Sequence, residues 1–99
     1  MSTPKSEKWL RDFASQHLTR FETDFRFFEE GDFGSLHQLE FNNDGSGGEI
    51  ELWSSGWFRI HYVNYIQEVE LINAFVGPDD ERQDQLIAEL IRRLADKSP

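Results

Sequence analysis

Apolar positions along this chain change their period twice. In "PKSEKWLRDFASQHLTRF", Trp9, Phe13, His17 and Phe21 recur every four residues, with Leu10, Ala14 and Leu18 beside them. One apolar stripe on a 3.6-residue period predicts an amphipathic helix over 4–20. Ser2 or Thr3 can cap it, Pro4 suits its first turn, and Glu7 favours the positive end of the helix dipole. The segment 21–30 reads either way: the stripe continues through Phe25 and Phe28, whereas Phe25 and Phe27 also alternate as in a strand.

"EEGDFGS" interrupts whatever precedes it, and the period then drops to two. In "LHQLEF", His37, Leu39 and Phe41 point one way and Gln38 and Glu40 the other. In "GEIELW", Ile50 and Leu52 oppose Glu49, Glu51 and Trp53; in "WFRIHYV", Phe58, Ile60 and Tyr62 oppose Trp57, Arg59, His61 and Val63. "EVELINAFV" places Val69, Leu71 and Phe75 on one face, with Asn73 interrupting it. These are four strand patterns in succession. "SSG" at 54–56 forms a tight hairpin turn and "NYIQ" at 64–67 a second.

The period returns to 3.6 in "GPDDERQDQLIAELIRRLADK". Leu86, Ile87, Leu90, Ile91 and Leu94 make the stripe, and Arg92, Arg93 and Lys97 lie near the negative end. Asp79 or Asp80 can cap this helix, and Gln83 completes a capping box with Asp80. Short links favour an antiparallel meander. The expected architecture is a single α+β domain over 1–99. It has two layers: a four-stranded antiparallel meander flanked by N- and C-terminal helices, both packed on one side of the sheet. The opposite sheet face is left at least partly open to water.

Composition sharpens this picture. Nine phenylalanines and three tryptophans among 99 residues supply enough buried ring area to exclude a disordered chain. Asp and Glu number 19 against 10 Lys and Arg, a net charge of −9. Free nucleic acid and anionic membrane surfaces both call for a basic footprint, so neither is an expected partner. A basic protein surface fits better, although the charge also serves simple solubility. The absence of cysteine excludes disulfides, thiolate metal sites and a cysteine nucleophile. Charged residues punctuate positions 1–20, unlike a signal peptide, and no apolar run reaches membrane-span length; a cytoplasmic protein is expected.

Candidate chemistry is sparse. "EFNNDGSGGEIE" at residues 40–51 partly matches a calcium loop beginning at Glu40, with Asn42, Asp44 and Glu51 at ligand positions and Gly45 at the glycine position. The first ligand position prefers Asp, Gly47 stands where an apolar residue is usual, and strand patterns flank the loop where helices are needed. A hairpin turn rich in Asn, Asp and Gly accounts for the stretch. His17, His37 and His61 lack metal-ligand spacing, and no nucleophile elbow, phosphate loop or dinucleotide fingerprint occurs. No catalytic residue, metal site or cofactor is expected.

The second sheet face carries the strongest signal. Glu49, Glu51, Trp53, Trp57, Arg59 and His61 should share it, joined by Glu70 and Ile72 from the last strand. Of these, Glu51, Trp53, Trp57, Arg59 and His61 form the candidate partner-binding set, because Trp and Arg most often anchor protein interfaces. Trp53 and Trp57 can equally serve to pair across the 54–56 turn and stabilise the hairpin. Other readings of the same face are self-association, and a small-ligand or enzymatic cleft around Trp57, Arg59 and His61.

"GGEIELWSSGWFRIHYVNYIQEVELIN" ahead of a C-terminal helix resembles the small bacterial immunity proteins of polymorphic toxin systems, over residues 47–94. The W-x-x-G-W hairpin is the distinctive element. That resemblance implies a compact acidic α+β domain that blocks a basic toxin by direct contact. Size, acidity and the C-terminal helix also resemble type III secretion chaperones, whose usual chain is longer and carries further elements.

Overall fold

The computed structural model describes residues 6–29, 34–78 and 80–95. Helix α1 (Glu7–His17) is followed by strands β1 (Glu22–Phe28), β2 (Leu36–Asn42), β3 (Ser46–Trp53), β4 (Phe58–Asn64) and β5 (Val69–Val76), and helix α2 (Arg82–Ala95) closes the chain. The five strands form one antiparallel sheet in sequential order. The architecture is therefore α+β as expected, with five strands instead of four. The added strand is the segment that read either way. The alternation of Phe25 and Phe27 with Asp24 and Arg26 prevails over the helical stripe, because β2 offers an uninterrupted ladder from Glu22↔Asn42 to Phe28↔Leu36.

Helix α1 is shorter than its stripe. Ser6 caps it, accepting a hydrogen bond from the Trp9 N–H, and Leu18 ends it after His17. The expected caps Ser2 and Thr3 lie outside the described residues. Leu10, Phe13, Ala14 and Leu18 are buried, while Trp9 and His17 lie to either side, their rings 5.4 and 4.9 Å from that of Phe13. In α2, Leu90 is buried and Leu86, Ile87, Ile91 and Leu94 pack against the core. The Asp80 N–H donates to the Gly77 carbonyl at 3.2 Å, and the Gln83 N–H to the Asp80 carbonyl at 3.1 Å. Gln83 is itself buried and donates to the carbonyls of Gly77 at 2.6 Å and Gly56 at 3.2 Å, fastening α2 to two loops. Asp80 accepts from the Arg82 N–H; Asp79 lies outside the described residues.

Register sorts the sheet into cross-strand rows. Facing the helices are Thr23–Phe41–Gly48–Tyr62–Ile72, Phe25–Leu39–Ile50–Ile60–Ala74 and Phe27–His37–Leu52–Phe58–Val76. Most of the central members of these rows are buried, and with Leu10, Leu18 and Leu90 they make the core. Gly48 has a specific reason to lack a side chain. The Phe41 and Tyr62 rings flank it with centroids 6.1 Å apart, and a Cβ there would run into the His61 carbonyl.

The last strand corrects an expectation. A register shift lies between Tyr62 and Val63, and such a bulge reverses the apparent alternation. Ile72 is buried in the core beside Val76, not on the open face, while Phe75 leaves the Val69–Leu71 side and joins the open face. Among the described residues, no helix is long and apolar enough to cross a membrane.

Candidate open-face site

The glycine loop is a turn. Asn43 Oδ1 accepts from the N–H groups of Gly45 and Ser46, both at 2.9 Å, and the Asn43 N–H reaches the Ser46 carbonyl. Ser46 is buried, and its hydroxyl accepts from Tyr62. Glu51, placed by sequence at the last calcium-ligand position, instead lies in the ladder. It accepts from Gln38 at 2.7 Å and pairs with Arg59 at 3.3 Å.

Turned away from the helices are the rows Asp24–Glu40–Glu49–His61–Asn73 and Arg26–Gln38–Glu51–Arg59–Phe75. Period-two alternation puts Glu49, Glu51, Arg59 and His61 here, as the sequence indicates. Arg59 lies between two carboxylates, its Nη1 3.1 Å from Glu49 and 3.3 Å from Glu51. Partial burial works against its charge, but the hydrogen bonds to Glu49 and Glu51 outweigh that effect and raise its pKa above the ordinary value. His61 Nε2 meets Glu70 at 2.7 Å, and its Nδ1 lies 4.0 Å from Glu49. Hydrogen bonds from His61 and then Asn73 hold the Glu70 carboxyl below its usual range. Arg26 bridges Asp24 and Glu40, each at 3.0 Å. Charged groups on this face are thus arranged as a ladder of alternating pairs, in which Asp24, Glu40, Glu49, Glu51 and Glu70 outnumber Arg26 and Arg59.

At one end of the ladder stands an aromatic cluster. The Trp57 ring stacks on Phe75 at 4.8 Å, and Trp53 meets Phe75 edge-on at 5.4 Å. The 54–56 turn brings both indoles to that ring: the Trp53 N–H donates to the Trp57 carbonyl, and Gly56, at φ 99°, closes the turn. Both indoles are half-buried, and Phe75 keeps 44% of its surface exposed. The structure therefore brings together all five sequence-derived candidates, Glu51, Trp53, Trp57, Arg59 and His61, and adds Phe75 as the ring on which the indoles converge. Phe75 was not legible as a member because the bulge reverses the strand's phase. Glu70 joins as expected; Ile72 does not.

Two clefts lie beside α1, one against β1 and β2 and one against β1. The more open, about 420 Å³, is lined in part by Ala14, Leu18, Phe21, Thr23 and Phe25. No family model matches this chain, and no curated protein matches it in sequence.

Proposed function

We infer that this chain is a small, non-enzymatic, cytoplasmic protein-binding module whose open sheet face docks a basic protein surface. The observation that carries this reading is the juxtaposition on one face of the Trp53–Trp57–Phe75 cluster and a ladder in which carboxylates prevail. Half-exposed aromatic rings beside charge are the composition of interface anchors. The surplus of carboxylates specifies the sign of the partner, and the net charge of −9 would speed encounter with a cationic one. Direct occlusion of a basic toxin by an immunity-type inhibitor is the most specific form of this function.

Capture from native lysate tests it, with wild type and a Trp57→Ala variant compared side by side after both are shown to be folded by circular dichroism. Loss of an anchoring aromatic weakens binding by about 2 kcal/mol, roughly 30-fold. A basic protein retained by wild type and depleted from the variant supports the reading. Equal retention by both proteins, or retention of nothing by wild type, overturns it.

A further inference from the structure

We propose that β1 is a self-pairing edge: two copies of this chain join β1 to β1, antiparallel about Phe25, to continue the sheet across a two-fold axis. Among the described residues, β1 pairs with β2 alone, and its other edge carries no strand. Proteins usually blunt such edges with bulges or prolines. β5, at the opposite edge, belongs to a strand pair with a register shift. β1 has no bulge or proline, and its register with β2 is unbroken over all seven residues; the charges it carries, Glu22, Asp24 and Arg26, are of both signs and so deter some pairings but not all.

Charge selects both the occupant and the register. An antiparallel pairing centred on Phe25 sets Asp24 opposite Arg26 of the second copy, and Arg26 opposite its Asp24. Slipping the strands by two residues one way places Asp24 against Asp24; slipping the other way places Arg26 against Arg26. A slip by one residue turns the apolar side of one strand toward the open face. Centring on Asp24 also sets Glu22 against Arg26, but of these registers only the Phe25-centred one pairs opposite charges without directly opposing like ones.

Shape agrees independently. Phe27 lies on the helix side of β1 and is 53% exposed. In the same register it falls opposite Thr23 of the second copy, where the cleft of about 420 Å³ opens between α1 and β1. The two-fold operation places one such ring at each of two equivalent clefts. This surface is separate from the aromatic end of the open face, so a dimer leaves Trp53, Trp57 and Phe75 available to another protein.

Sedimentation equilibrium on the whole chain tests the pairing. Wild type should show twice the 11.7 kDa chain mass, reversibly with concentration. Asp24→Arg and Arg26→Asp, each alone, oppose like charges across the axis and should weaken the dimer on the order of 100-fold. An equimolar mixture of those two variants should restore it, because each supplies the charge the other lacks; this rescue separates a register effect from misfolding. In this cysteine-free chain, Phe25→Cys should form a disulfide-linked dimer, since directly paired antiparallel positions hold Cα atoms about 4.5–5.5 Å apart, within disulfide reach. A monomeric wild type at about 1 mM, or a dimer indifferent to Arg26→Asp, overturns the proposal.

Discussion

Replacing Phe75 with alanine removes the ring on which both indoles of the open face rest. Truncating a fully buried Phe costs about 3–5 kcal/mol. Phe75 keeps 44% of its surface in water, so little more than half of that transfer term applies. Its contacts with Trp57 at 4.8 Å and Trp53 at 5.4 Å are lost as well. Because both indoles border solvent, they can close part of the gap, which holds the cavity term down. The expected loss is roughly 2 kcal/mol, on the order of 10 °C in melting temperature for a domain this small. Urea unfolding followed by circular dichroism reads the free energy, and tryptophan emission should shift to the red as Trp53 and Trp57 gain water. Ile66→Ala provides a surface control, since Ile66 is 79% exposed and should change stability by less than about 0.5 kcal/mol. A Phe75→Ala effect as small as that control would refute a cohesive three-ring cluster. A loss above about 4 kcal/mol would mean that Phe75 is core, contrary to its place on the open face.

Gly48→Ala should destabilise by about 1–3 kcal/mol in urea unfolding, although alanine normally favours a strand over glycine, because the new Cβ meets the His61 carbonyl. Gln83→Ala should cost about 1–3 kcal/mol, since the Gly77 and Gly56 carbonyls lose their shared donor, and Gln83→Glu should cost more by placing a carboxylate against two carbonyl oxygens. Hydrogen bonds from the Arg82 side chain and then its backbone hold Asp80 down to about 2. A carboxyl whose folded pKa lies below its unfolded value stabilises the fold above the unfolded value, ~4, and that contribution disappears as pH falls through the folded one. Urea midpoints should therefore decline between pH ~4 and ~2, and Asp80→Asn should flatten that decline; an identical acid limb in the variant would contradict the pairing.

Strands β2 to β4 were legible because their side chains alternate without interruption and one face is apolar at nearly every position. That alternation alone places Glu49, Glu51, Arg59 and His61 together, since register follows from the buried Ile50, Ile60 and Leu52 rows. Two things were hidden. β1 carries Phe25, Phe27 and Phe28 at spacings that satisfy both periods, and only its long-range pairing with β2 decides between them. In β5, one bulged residue reverses the apparent faces, which moved Ile72 into the core and Phe75 out of it. Gln83 shows the same limit on a smaller scale. Its spacing from Asp80 fits a local cap, but the Asp80 N–H goes to the Gly77 carbonyl, and the Gln83 amide donates to carbonyls at residues 56 and 77, brought near by the fold.

The measurement closest to the docking function is NMR mapping on the labelled chain, titrated with the basic protein that wild type retains. Shifts should concentrate at the Trp53 and Trp57 indoles, Phe75 and the backbone of Glu49, Glu51 and Arg59, and should weaken with added salt. Shifts confined to α1 and α2, with the open face unchanged, would contradict the assignment of that face as the binding surface.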